Sequence, residues 1–258
     1  MFDAHHFGGA YHQRVLSEAG ISARRSFFVP YSVDTPHFSA LADDPSQIAE
    51  ACQIRQRLGW SAASPVLLFL AQHSWVKGPD IMLDIAAIGQ RTMPDLKLIM
   101  AGNGVMTEHL KTQAGLKLRP GSWHFPGFVS SKKTVPWYLA SDLVVFPSRY
   151  DTWSRAVNEA MLCRRACQVS HLVGAAGGLV DDGVNGMVVQ GLEPNHHAES
   201  MLSYLRAPWD FRRRFGDEAR NRALEFSYEN HSNDLRRSFI ETATNPTSRT
   251  AAQKHRFD

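Results

Sequence analysis

The stretch "FPSRYDTWSRAVNEAM", Phe146 to Met161, holds two acids, Asp151 and Glu159, eight residues apart. That spacing is not a hydrolase signature. Asp151 follows an apolar run that reads as a buried strand, and Glu159 falls early in a helical stretch. In open parallel sheets ligands bind beyond the carboxyl ends of the strands. Helical Cα–Cβ bonds tilt toward the helix start, so Glu159 leans back toward such a crevice. The N–H groups near Thr152, Trp153 and Ser154 face the same place and suit an anionic group. Carboxylates that accept hydroxyl hydrogens, beside a helix start that holds an anion, fit a ligand with both sugar and phosphate. On spacing alone the same residues also fit Ser154 as a helix N-cap beside two solvated acids.

The elements that must position these groups can be read from hydrophobic patterning. Apolar runs at 66–71, 96–101, 122–125, 143–146 and 186–189 are nearly continuous rather than alternating, as parallel strands covered on both faces should be. Helical patterns lie between them. "PDIMLDIAAIGQR" sets Ile81, Ile85 and Ile88 on one stripe, while "KKTVPWYLA" and "SRAVNEAML" follow the third and fourth runs. This alternation predicts an α/β fold with a doubly wound, Rossmann-like parallel sheet. Further helices are expected in "NHHAESMLSYL", "PWDFRRRFGDEARNRALEF" and "YENHSNDLRRSFIETA", with a frayed tail after them. At the front, "YHQRVLSEAG" reads as a short helix, "SFFVP" as a strand, and residues 39–50 as a linker with a charged turn, "ADDPSQ".

Composition narrows the classes. With 28 basic and 25 acidic residues the net charge is only +3, too balanced to indicate a nucleic-acid binder by itself, and no nucleic-acid partner is expected. Three cysteines, Cys52, Cys163 and Cys167, suggest no disulfide framework and point to a reducing compartment. The twelve histidines are scattered and match no zinc-binding spacing, so no metal site is expected. No apolar run approaches the roughly 20 residues that cross a bilayer. The opening "MFDAHHFGGAYHQ" lacks the regions of a signal peptide. A soluble, cytoplasmic protein is the expectation.

"FPSRYDTWSRAVNEAMLCRRA" resembles the donor-binding segment of group 1 (family 4-like) retaining nucleotide-sugar glycosyltransferases, which have a GT-B-type fold. Other segments are similar in the same order. "FFVPYSVDTPHF" looks like the interdomain strand and linker, "IRQRLGW" like the approach to the first donor-domain strand, and "FLAQHSWVKGPDIML" like its strand-to-helix loop. "LIMAGNG", "FPGFVSSKKTVPWYLASDLVVFPS", "GAAGGLVDDGVNGMVV" and "FSYENHSNDLRRSFIE" follow, so the likeness runs over about residues 10 to 243.

The resemblance implies a C-terminal, GT-B half with a remnant of the N-terminal acceptor domain and linker at 1–38. It implies a Rossmann-like donor domain at 39–226, and a crossing helix with tail at 227–258. It implies transfer, with retention, from a nucleotide-diphosphate sugar to a saccharide or lipid-linked acceptor, in cell-surface polysaccharide synthesis at or near the inner face of the membrane. No cofactor beyond that donor is implied. Lys77 becomes the cation on phosphate, Glu159 the acceptor of ribose hydroxyls, and Asp151 the holder of the transferred sugar. Gln72, Gly102, Asn103, Gly104, Phe128, Val129 and the Thr152–Trp153–Ser154 backbone become donor contacts.

The sequence also departs from the pattern. Gln72 stands where the family has an arginine, and Ser154 and Arg164 stand where it has glycines. Only the last helix and strand of the acceptor domain are matched in this sequence, so activity is expected to require a chain that carries the rest. The helix face bearing Leu235, Phe239 and Ile240 is then expected to be partly exposed. Two other readings compete: a non-catalytic nucleotide-binding or scaffold module on the same fold, and a nicotinamide-dependent dehydrogenase. The latter rests on Gly102-x-Gly104, which lies mid-chain and lacks a third glycine.

Overall fold

The structure, a computed structural model, describes residues 3–244. Its elements in chain order are β1 (His5–Phe7), α1 (Ala10–Glu18), β2 (Ser26–Phe28), α2 (Thr35–Asp43), α3 (Pro45–Arg57), β3 (Val66–Leu70), α4 (Pro79–Thr92), β4 (Lys97–Ala101) and α5 (Thr107–Lys117). They continue with β5 (Trp123–Gly127), α6 (Val135–Leu139), β6 (Leu143–Phe146), α7 (Arg155–Leu162), β7 (Cys167–Ser170), β8 (Gly186–Val189), α8 (Pro194–Arg206), α9 (Trp209–Leu224) and α10 (Tyr228–Thr244).

Six parallel strands form the main sheet in the order β5-β4-β3-β6-β7-β8. The central strands are apolar throughout because each serves two cores. Val66 and Leu68 of β3 join the core that includes Phe38, Tyr138, Val157 and Ala219; Leu67 and Phe69 join the one with Met82, Ile85, Leu110 and Met201. Helices α2, α6, α7 and α9 therefore cover one face, and α4, α5 and α8 the other. The chain builds outward from β3 through β4 to β5, then returns to lay β6 on the other side of β3. The crevice between the β3 and β6 tips is the topological switch point, where ligands of such sheets bind.

Two expectations are corrected. Residues 39–50 are helical, not a linker: α2 and α3 meet at Asp44, whose carboxylate accepts from the Ser46 N–H at 2.7 Å. Asp34 caps α2 in the same way, accepting from His37 N–H at 3.0 Å. In both helices a proline follows the cap, where its missing N–H costs nothing. The second correction is β7, "CQVS", which hydrophobicity did not reveal. Its polar members are buried and bonded: Gln168 Nε2 donates to His197 O at 3.0 Å, and Ser170 Oγ to Ser148 O at 2.6 Å.

The front of the chain forms a separate two-stranded parallel pair, β1 with β2. Helix α10 lies against it, with His6 Nε2 2.9 Å from Ser238 Oγ, the His6 ring edge-on to Phe239, and His231 Nδ1 2.7 Å from Pro30 O. Even beside these contacts, Phe239 stays 66% and Ile240 52% exposed. The expected frayed tail lies beyond Thr244, outside the described residues. Among those residues, no helix is long and apolar enough to cross a membrane.

Candidate functional site

The switch-point crevice encloses about 490 Å³ and is lined from three loops. The β3 loop contributes Gln72 and Lys77, the β5 loop Phe128 and Val129, and the β6 loop with the start of α7 contributes Asp151, Thr152, Ser154, Arg155 and Glu159. Tyr31 reaches it from the segment before α2. Lys77, Asp151 and Glu159 thus converge on one pocket although 82 residues separate the first from the last.

Each side chain is held by an identifiable device. Lys77 ends a short 3-10 turn, Trp75–Lys77, which Gly78 stops with φ 68°. A Cβ at Gly78 would stand 2.1 Å from Pro147 O, so only glycine lets the β3 loop press against the β6 loop there. Arg149 locks the two loops from the other side. It donates to both oxygens of Asp80, at 2.8 and 2.6 Å, and to Trp75 O at 2.8 Å, with its guanidinium over the Trp75 ring. Burial works against ionisation of Asp80, but the hydrogen bond and charge of Arg149 outweigh it and hold the carboxyl below its ordinary range. No sequence pattern singled out this clamp; an arginine two residues from Asp151 was the only available signal.

Lys77 Nζ bonds Asp151 Oδ2 at 2.6 Å. Asp151 Oδ1 accepts from the Trp153 N–H at 3.3 Å, which folds the acid back over its own loop. Trp153 itself leaves the crevice. Its ring is fully buried, donates to Asn158 Oδ1 at 2.7 Å and packs near Phe226 and Phe28, so the residue anchors the loop through its side chain. Ser154 has φ 73°, in the left-handed region, and Arg164 has φ 53°. These are the two positions where glycine was expected, and the backbone keeps the turn without it. Ser154 does not cap α7: no side chain bonds the start of that helix. The Val157 N–H turns back to Ser154 O at 3.0 Å, and the Arg155 and Ala156 N–H groups before it are left to an anion beside the crevice.

Glu159 accepts from the Tyr138 hydroxyl at 2.9 Å through Oε2. Its other oxygen carries no hydrogen bond among the described residues and is available to a ligand hydroxyl. Burial pushes the Glu159 carboxyl above its ordinary range, against the opposing pull of Tyr138 and Arg155. A carboxyl with a raised folded-state pKa binds its proton to higher pH when folded than when unfolded. Stability therefore falls as pH rises from the ordinary glutamate range through the raised value, and stays lower above it. Glu159→Gln is expected to melt higher than the wild type at pH 7, with the gap closing toward pH 4. Parallel thermal melts across that range check this; a gap that is constant in pH removes the buried-charge explanation.

Gly102, Asn103 and Gly104 fall outside the crevice lining. Here the structure brings backbone against backbone: His73 N–H donates to Asn103 O at 3.0 Å and Met106 N–H to His73 O at 3.1 Å. Thr107 Oγ1 accepts from Gly104 N–H at 2.9 Å and lies 3.0 Å from His73 Nδ1. This loop shapes the β3 tip rather than the pocket wall. Among the described residues, no group of three or more His, Cys, Asp or Glu side chains is placed to hold a metal ion.

A parallel six-stranded sheet with a charged, polar crevice at its switch point defines a Rossmann-like domain of the kind that forms half of a GT-B glycosyltransferase. Solved structures share this fold. Anabaena Alr3699/HepE in complex with UDP and glucose superposes with a TM-score of 0.78 over 92% of this chain and 63% of that one, at 22% identity. Sucrose-phosphate synthase from Thermosynechococcus elongatus gives 0.74 over 94% and 58%, at 20% identity. The family profile "Glycosyl transferases group 1" matches residues 52–222, and the chain belongs to that family. Among curated relatives, D-inositol 3-phosphate glycosyltransferase of Xylanimonas cellulosilytica is 30% identical over 220 residues, 81% of this chain and 50% of the relative. Alpha-D-kanosaminyltransferase of Streptomyces kanamyceticus is 27% identical over 176 residues, 68% of this chain and 45% of the relative. The chain spans about half the length of the curated relatives it matches.

Proposed function

We propose that this chain is the donor-binding half of a retaining glycosyltransferase, and that the switch-point crevice takes a nucleotide-diphosphate sugar. What carries the reading is the convergence of Lys77, Asp151, Glu159 and the uncapped start of α7 on one pocket. Glycosyl transfer from such a donor develops negative charge on the departing phosphate. A cation and a helix N-terminus directed at that oxygen stabilise it without a covalent nucleophile. In this reading Lys77 exchanges Asp151 for a phosphate oxygen as the donor enters. Asp151, released, accepts from hydroxyls of the sugar, and the open oxygen of Glu159 accepts from the ribose. Phe128, 75% exposed at the rim, offers a face to the base.

The acceptor would be held by the other half of the enzyme, whichever polypeptide carries it, and a saccharide or lipid-linked acceptor of surface polysaccharide synthesis is our reading. The outward face of α10, with Phe239 and Ile240, would meet that half. Titration with uridine and guanosine diphosphate-sugars tests the donor site directly. Saturable binding to one of them is expected; no binding of either at millimolar concentration overturns the proposal.

A further inference from the structure

Four charged side chains line the crevice, and their formal charges cancel: Lys77 and Arg155 against Asp151 and Glu159. The two cations are not equivalent. Lys77 is already neutralised by Asp151 at 2.6 Å. Arg155 is exposed, opens α7, and has no hydrogen bond or ion pair among the described residues; it acts on Glu159 only through its field. Gln72, on the β3 loop of the same crevice, brings no charge. Without Arg155 the lining would be net negative, and a diphosphate entering with two or more negative charges would be repelled.

We infer that Arg155 contacts the phosphate oxygens of the donor and makes the crevice prefer a nucleoside diphosphate over a nucleoside monophosphate or an uncharged nucleoside. The inference rests on the donor-site reading above and adds a specificity-determining residue to it. Three features support the assignment. The guanidinium is the one cation of the lining without a partner among the described residues. It is attached to the first residue of a helix whose start no side chain caps, so side chain and helix N-terminus act on the same anion. Its planar fork suits two oxygens of a phosphate at once.

Titration of the whole chain with UDP, UMP and uridine tests this. Arg155→Gln is expected to lose about tenfold or more in UDP affinity, the size of a charge-assisted hydrogen bond. UMP affinity should fall less, and uridine affinity by less than twofold. Adding Gln72→Arg to that variant should return part of the UDP affinity, because it restores a cation to the crevice. The melting temperature without ligand should change little, since Arg155 makes no hydrogen bond or ion pair among the described residues and acts on Glu159 only through its field. Unchanged UDP affinity in Arg155→Gln, or equal losses for UDP and uridine, overturns the inference while leaving the donor site standing. A wild-type chain that binds none of the three ligands overturns the donor site and this inference with it.

Discussion

Lys77→Ala is expected to weaken UDP binding by about a hundredfold, and Asp151→Asn to strengthen it by several-fold. The opposite signs follow from the 2.6 Å pair between the two side chains. Losing Lys77 removes a charge-assisted hydrogen bond worth about 1.5–3 kcal/mol and also leaves Asp151 as an unopposed negative charge facing the phosphate. Losing the Asp151 charge frees Lys77 from a competitor. The gain should be confined to UDP: Asp151→Asn should lower the extra affinity of the sugar-bearing donor over UDP, because the amide is the weaker acceptor for sugar hydroxyls. Stability gives a second readout. The Asp151 side chain is only 11% exposed, so removing its partner should destabilise the fold by about 1–3 kcal/mol. The double variant should recover part of that loss, since neighbours in one ion pair are not additive. Titrations of the three variants with UDP and UDP-glucose, with melts alongside, check all of this. If Asp151→Asn weakens UDP as much as Lys77→Ala does, the pair is a fixed unit and the exchange on donor entry is wrong.

Much of this arrangement was legible in the sequence because the central strands serve two cores. Val66 to Phe69 and Leu143 to Phe146 have no polar face to interrupt the apolar run, so their place in a covered parallel sheet could be read directly. Position along the chain then located the crevice, since residues following such strands must emerge at one edge. What hid from the sequence was structure held by polar groups. β7 escaped because Gln168 and Ser170 resemble loop residues until their buried partners, His197 O and Ser148 O, are known. Helices α2 and α3 were masked because "YSVDTPHF" resembles a linker and "ADDPSQ" reads as a charged turn, although an aspartate one or two residues before a proline is equally a capped helix start. The Lys77–Asp151 bond and the inward turn of Trp153 were invisible for another reason. Both depend on which partners the side chains of this loop find; the family's glycine at position 154 signalled the turn of φ 73°, but not those partners.

The Gly102 loop was expected to approach the donor, and its backbone contacts support a large stability effect. Gly102-x-Gly104 invites a ligand-contact reading, yet the Gly102 N–H is spent on Gly127 O at 2.8 Å and its φ is 132°. A Cβ at that position would lie 1.9 Å from Ala71 O. No side-chain rotation relieves that overlap, because the obstacle is the backbone at the tip of β3. Gly102→Ala must therefore separate the β3 and β4 tips or unfold their junction. A cost of about 3–5 kcal/mol is expected, at the upper end for single substitutions, which corresponds to a melting point lower by roughly 10 °C for a chain of this size. Gly115 in α5 is the control: it is exposed and a Cβ there meets nothing within 4 Å. Gly115→Ala should stabilise by about 0.5–1 kcal/mol, the helix propensity difference. If the glycine instead served a ligand's approach, Gly102→Ala would melt like the wild type and lose only nucleotide affinity. Melting curves of the two variants without ligand separate these cases. The closeness of Ala71 O predicts that the damage appears before any ligand is added, and that nucleotide affinity falls only because Gln72 and Lys77, on the displaced loop, move with it.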